Sequence, residues 1–343
     1  MARLSNVTRM VAGLLLVCAA AAQLPRIGDI DFYGLRKITA EQILGAAGLA
    51  PGDTIPASRG NLEDQIADMP GVAAAHVQVV CCEGNRAALF IGIVEDGELQ
   101  PAFHSTPSGP ATLPQELMDS YREFLGAALR APGKGIADEN PAAGHALMAN
   151  PAVRAFEDRF LAFADGHTDD LRAVLHDGSE PEERAAAATV IGYATDKKDV
   201  ADDLLFAIQD PDEGVRAGAL RALAAIAVAA RNQPAPGIRL ASTGLVKLLS
   251  SVVLSDRVES AEALLILTEG GDAAALDLIR ERALASVVEM ARWKTRSYAL
   301  PPLMLLGRVA GLTDAQTRQS WENGDREPVI QKALETAAKK RPE

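Results

Sequence analysis

The residues that could do chemistry are few and scattered. His167, Asp169, Asp170 and His176 lie close together in the 343-residue chain. The two histidines straddle a helix, however, and do not form an i, i+4 pair on one face, as a helical metal site requires. His76, His104 and His145 fall among strand and loop. No G-x-S-x-G, P-loop or H-E-x-x-H pattern occurs. Cys81 and Cys82 are adjacent at a strand end, where neighbouring side chains point to opposite faces. Their Cα atoms stand about 3.8 Å apart, tighter than the usual disulfide span. They read as one buried thiol and one less buried, with a vicinal bridge or a redox-labile or intermolecular cysteine as alternatives. No catalytic residue, cofactor site or metal site is expected, and the chain reads as non-catalytic.

The charged residues with a regular spacing are arginines. Arg184, Arg216, Arg257 and Arg296 each open a run with small or apolar residues three, four and seven positions on, one face of a helix. They recur at 32, 41 and 39 residues, a period that belongs to stacked helix pairs. Asp210-Pro-Asp-Glu-Gly-Val-Arg216 is the clearest turn. These segments, from Asp170 to Leu312, resemble HEAT repeats. In that family a turn aspartate and a second-helix arginine form a ladder between neighbours, which implies rungs from Asp177 with Arg184 and Asp210 with Arg216. Arg257 and Arg296 would continue the ladder, although Asp256 directly precedes Arg257 and is displaced from the rung position. Pro301 and Pro302 predict that the fourth second-helix starts or kinks there. One or two closing helices follow in 313–343.

The net charge of −12 argues against a nucleic-acid backbone as partner, because that task needs clustered Lys and Arg. At the N-terminus, Arg3 and Arg9 precede an apolar run from Val11 to Ala22, which ends in Ala20-Ala21-Ala22. This is the pattern of a secretory signal peptide over 1–22. The run is shorter than the roughly 20 residues of a membrane span. A periplasmic protein is expected, with no span left after cleavage.

Residues 23–97 have a different grammar. Ile27 to Phe32 reads as a strand, Thr39-Ala-Glu-Gln42 as a capping box, and Ser58 as the cap of a second helix carrying Leu62, Ile66 and Met69. Strands Ala75–Val80 and Ala87–Val94 follow, joined by a turn at Glu83-Gly84-Asn85. The order is β-α-α-β-β. With the phrases Ile30-Asp-Phe-Tyr-Gly-Leu35, Gly48-Leu-Ala-Pro-Gly-Asp53, Met69-Pro-Gly-Val72 and Ile91-Gly-Ile-Val-Glu95, it resembles the POTRA domain. That resemblance implies a polypeptide-binding module that pairs a sheet edge with an incoming strand.

Residues 98–113 are rich in Pro, Ser, Thr and Gly and read as a linker. A helical cap region, 114–169, carries Leu117, Tyr121, Phe124 and Leu125 on one helix and Val153, Phe156, Phe160 and Phe163 on another. The chain therefore reads as multidomain and mainly α, a small α+β domain followed by an α-solenoid. The function expected is a scaffold for protein partners in the cell envelope. Arg221, Asn232, Glu259 and Glu262 are the candidate partner-binding residues on the wall of second helices. The alternative is an envelope enzyme or regulatory subunit, with a small-molecule or metal site between cap and first repeat near His145 and His167.

Overall fold

The computed structural model describes residues 25–83, 86–131, 139–141, 143–232, 238 and 240–340. The segment 1–22 read as a signal peptide, the turn at Gly84-Asn85, the loop 132–138, the proline loop 233–237 and Arg341 lie outside the described residues.

The chain opens with β1 (Arg26–Tyr33), α1 (Ala40–Ala47), α2 (Arg59–Ala67), β2 (Val72–Glu83) and β3 (Arg86–Glu95). The sheet order is β1-β3-β2, with β3 parallel to β1 and antiparallel to β2. Local chemistry sets the helix starts. Thr39 and Gln42 form the capping box of α1, and the Ser58 hydroxyl accepts from Asn61 N–H at the start of α2. Ile43, Leu62 and Ile66 then pack on Ile27, Ile30, Val77, Leu89, Ile91 and Ile93. Gly34 has φ +82°, and a Cβ there would lie 2.0 Å from the Ile93 carbonyl oxygen. At Gly92 a Cβ would meet the Tyr33 ring at 2.3 Å, so the glycine lets that ring cross the strand.

Glu95 closes the unit. Its carboxylate accepts from the backbone N–H groups of Arg36, Lys37 and Ile38 at 2.7, 2.8 and 2.9 Å. Burial pushes this carboxyl up, but the three donors outweigh burial and hold it below the ordinary glutamate value. A folded-state pKa below the unfolded one stabilises fully above the ordinary range, and that contribution is lost as pH falls through the folded value. Glu95→Gln should therefore flatten the acid limb of stability. The test is the urea midpoint followed from neutral pH downward, and a slope unchanged from wild type contradicts the assignment.

The rest is helical. A cap is built from α3 (Gln115–Arg130), a two-residue β4 (Glu139–Asn140) and β5 (Leu147–Met148) pair, and α4 (Pro151–Gly166). Helix pairs follow: α5 (Thr168–Asp177) with α6 (Pro181–Ile191), α7 (Lys197–Ala207) with α8 (Glu213–Asn232), and α9 (Ser242–Leu248) with α10 (Leu254–Leu267). The fourth pair joins α11 (Ala273–Leu278) through a π-turn to α12 (Leu284–Ala291), and sets α13 (Arg296–Val309) against it. Helices α14 (Asp314–Glu322) and α15 (Glu327–Lys340) close the array. The second helices α6, α8, α10, α13 and α15 stack on one another. Close approach of α6 and α8 needs small residues, and Ala185, Ala186, Ala187, Ala188, Ala219 and Ala222 are all buried.

Of the two expectations for the fourth second-helix, a start at the prolines is corrected by α13. It begins at Arg296, ahead of Pro301 and Pro302, and both prolines lie inside it. They sit in the second turn, so only its first carbonyls lose N–H donors. Leu125 is also corrected, since it is 40% exposed while Leu117, Met118, Tyr121 and Phe124 form the buried stripe.

Each ladder arginine folds back on its own turn and reaches forward to the next repeat. Arg184 donates to the Gly178 and Ser179 carbonyls and bidentately to Asp210 at 2.8 and 3.0 Å. Arg216 donates to the Asp210 and Pro211 carbonyls and to Asp256 at 2.9 Å. Arg257 donates to the Ser251 carbonyl and to Glu289 at 3.2 Å. The acceptor thus comes from the following repeat. Asp177 is exposed and is not the acceptor of Arg184, Asp210 is not the carboxylate partner of Arg216, and Asp256 is a rung after all. Arg296 leaves the ladder: it lies over the Trp321 ring at 4.4 Å and donates to the Trp321 carbonyl.

Residues 98–113 are a strap laid back across the repeat turns. Gln100 accepts from Val252 N–H, Ala102 O from Lys247 Nζ, His104 donates its N–H to Gln209 O, and Gly109 donates to Asp177 O. Phe103 covers the Arg216 guanidinium at 4.2 Å. Proline-rich composition identified a non-helical segment, but its backbone bonds go to the array.

Candidate partner-binding groove

The face of the sheet opposite α1 and α2 lies on the array. Tyr33 and Phe90 belong to the helical core, with Phe90 edge-on to Trp293 at 5.2 Å. Trp293 Nε1 donates to Phe32 O, and the Asp31 carboxylate accepts from Lys294 N–H (2.7 Å) and Thr295 N–H (2.9 Å). Asp31 therefore caps the start of α13 from another part of the chain, where a carboxylate also meets the positive helix end. Tyr33 donates to Val252 O at 2.8 Å while its ring covers Arg257 at 4.6 Å. Burial pushes the Tyr33 hydroxyl and the Glu289 carboxyl up and the Arg257 guanidinium down. Arg257 and Glu289 hold one another as a buried ion pair, and Glu289 also accepts from Gly34 N–H.

These contacts cover β1. Its outer side also meets Gly52–Thr54, through Ile27 N–H to Asp53 O and Gly52 N–H to Ile27 O. The opposite edge, β2, is different. Val77 N–H points away from β3 to Glu63 at 2.6 Å. In an antiparallel pair such residues alternate, so Ala75 and Val79 also direct N–H and C=O outward. The alternate residues His76, Gln78 and Val80 face the helices.

Beneath them lies a groove of about 570 Å³, formed with the first turns of α8 and α13 and the first three turns of α10. Val80, Leu254, Val258 and Tyr298 supply its apolar surface. Glu213, Glu259 and Glu262 also line it, with no Lys or Arg among the described lining residues. His76 Nε2 stands 3.3 Å from Glu213, and its Nδ1 is buried with no hydrogen-bond partner among the described residues. The His76 contact holds the Glu213 carboxyl below its ordinary range. At Tyr298 burial raises the hydroxyl, and the nearby Glu262 and Glu259 add to the effect.

Of the four residues assigned to the second-helix wall, Glu259 and Glu262 line this groove. Arg221 does not. It donates to Glu157 at 3.0 Å, Ala146 O at 3.1 Å and the Tyr193 hydroxyl at 3.3 Å, and so binds the cap to the repeats. The reason is Glu157, a fully buried carboxylate that requires a cation beside it. Asn232 is exposed at the far end of α8 from Glu213, roughly 28 Å along the helix axis. His76, Gln78, Val80, Glu213 and Tyr298 were missed. Apolar residues at both phases of β2 were the available signal that its two faces are covered.

A second cavity, of about 700 Å³, lies between the cap and the first two helix pairs, lined by Asp165, Thr195, Lys197 and Asp199 among others. Lys197 Nζ reaches His145 Nδ1 and Gly192 O, each at 2.7 Å. Burial and the Lys197 charge push His145 down to about 4, and burial lowers Lys197 to about 8. His167 makes separate contacts, stacking on Phe163 and meeting Asp170 at 3.0 Å. Among the described residues no group of three or more His, Cys, Asp or Glu is placed to hold a metal ion. Cys81 is exposed and disulfide-bonded, which corrects its reading as a free thiol.

A family model for HEAT repeats matches residues 168–235, the stretch from α5 to the end of α8. The comparison with curated proteins returned no match. Repeats of this kind suggest a protein-interaction scaffold, and among the described residues no helix is long and apolar enough to cross a membrane.

Proposed function

Starting from the HEAT-repeat match, we propose that this protein is a non-catalytic scaffold of the cell envelope. It grips one polypeptide on the outer edge of β2, while the wall of second helices presents a surface to another. The observation that carries this reading is the outward backbone of Ala75 and Val79, with the Val77 N–H between them held by Glu63, above a groove of about 570 Å³. The β-α-α-β-β order and the sheet order β1-β3-β2 support a POTRA-like assignment for the first unit. Export is supported by the charged and apolar pattern of residues 1–22.

The test is in-cell photocrosslinking from Gln78, in the groove, against Leu129, which is 88% exposed on α3. A discrete protein adduct from Gln78 but not Leu129 is expected. Equal or absent adducts would reject the edge as a binding surface. They would turn attention to the second reading, a small-molecule site at the cap, which the cavity beside Lys197 and His145 favours.

A further inference from the structure

We infer that the closing end of the array carries a binding surface for an acidic polypeptide segment, built by Arg296 and Arg326 around Trp321. It is separate from the β2 edge and stands or falls independently of that reading. Arg296 opens α13 and Arg326 precedes α15, and their guanidinium carbons lie over the Trp321 ring at 4.4 and 4.5 Å. Carbonyls fix both. Arg296 donates to Trp321 O at 3.4 Å, and Arg326 donates to Ala291 O at 3.1 Å and Trp293 O at 2.6 Å. Neither forms an ion pair with a carboxylate among the described residues, although the chain has 46 acidic residues against 34 Lys and Arg. Neighbouring arginines are paired: Arg257 with Glu289, Arg292 with Glu327, and Arg308 with Asp314. Glu327 is thereby engaged, and the Asp31 carboxylate already accepts from Lys294 and Thr295 N–H. Glu322 and Asp325, exposed in the same turn, form no ion pair with either guanidinium.

Two like charges held over one ring repel. Burial and the Arg296 charge push the Arg326 guanidinium down, and Asp31 offsets them only in part. A carboxylate from outside would relieve that repulsion, and the guanidinium N–H groups not given to carbonyls can take it in a bidentate pair. Stacked guanidiniums lose little freedom when they bind, so the surface is preorganised. The net charge of −12 favours a short segment over an anionic bilayer. A bilayer would face one whole side of an acidic protein, whereas a peptide senses the cations within a Debye length of about 8 Å. Lys294, also exposed, adds a positive charge two residues from Arg296.

The experiment uses the full chain and two fluorescent peptides, one of alternating glutamate and serine and one with glutamine at every glutamate. Anisotropy titrations in ~0.15 M salt should show the glutamate peptide bound about ten-fold or more tightly. Arg296→Gln, at an exposed residue, should remove most of that preference, and Arg296→Gln/Arg326→Gln all of it. The single variant carries the test if loss of the Arg326 carbonyl contacts unfolds the double one. Lys198→Gln/Lys332→Gln takes the same two charges from exposed positions elsewhere and should keep the preference. Equal affinity for the two peptides, or a preference that survives both arginine variants, overturns the proposal. A preference lost as fully in the lysine control overturns it too, because net charge alone then explains the binding. Vesicles of phosphatidylcholine with and without phosphatidylglycerol are the rival probe. Sedimentation with the anionic vesicles that requires Arg296, without any preference between the peptides, assigns the surface to lipid and rejects the acidic segment.

Discussion

Asp256→Ala is expected to cost about 3–5 kcal/mol of stability, because it strands a buried guanidinium. Asp256 is 0% exposed and its partner Arg216 is 2% exposed. The carboxylate accepts from Arg216 Nε at 2.9 Å and from the Ser251 hydroxyl at 2.7 Å. After its removal Arg216 keeps the Asp210 and Pro211 carbonyls and the Phe103 ring, none of which carries the opposing charge. The pair joins the second and third helix pairs, so the array should lose cooperativity at that junction. A urea transition that broadens or splits, with amide exchange rising first in α8 and α10, is the expected signature. The double substitution Arg216→Met/Asp256→Leu should lose less than Asp256→Ala alone, since no charge is then left without its partner. A single variant within about 1 kcal/mol of wild type, the usual range of an exposed pair, would show that the rung does not hold the repeats together.

Trp293→Ala should cost a similar amount, about 3–5 kcal/mol, but in a different place. Trp293 is 2% exposed, with Phe90 at 5.2 Å, Tyr33 at 5.8 Å and its Nε1–H on Phe32 O. It is the largest side chain between the sheet and the array, and its loss leaves a cavity that the sheet's own core cannot refill. That core, Ile43, Leu62, Ile66, Val77 and Ile91, lies on the other face and keeps its packing. The expected outcome is faster amide exchange along β1 and the strap with little change in α1 and α2. Trp321→Ala is the control. Trp321 is only partly buried, under Arg296 and Arg326, and should cost less. If both variants exchange alike, Trp293 does not fasten the two parts.

Both predictions concern contacts that no local pattern announces. The sequence by itself determined the features whose hydrogen bonds close within about four residues. Thr39 with Gln42, and Ser58 with Asn61, start helices because their side chains reach N–H groups in the next turn. Apolar residues at helical spacing placed Val153 and Phe160 in the core, and Arg184, Arg216 and Arg257 at equivalent points of successive repeats.

Tertiary structure decided what those residues meet. Arg184, Arg216 and Arg257 find their carboxylates 26, 40 and 32 positions away. Each partner is set by how one helix pair stacks on the next, so Asp256 became a rung and Asp177 did not. Arg221 turned inward because Glu157 was already buried there, and Arg296 turned to Trp321, whose ring and carbonyl it meets. The proline-rich strap keeps no regular structure of its own, yet it is fixed, since His104 and Gly109 N–H pair with the turns of two repeats and the Gln100 side chain and Ala102 carbonyl accept from a third. The groove arises in the same way. Glu259 and Glu262 could be placed on a helix face from spacing alone, but His76, Gln78 and Val80 join them only because the second face of the sheet lies across that helix.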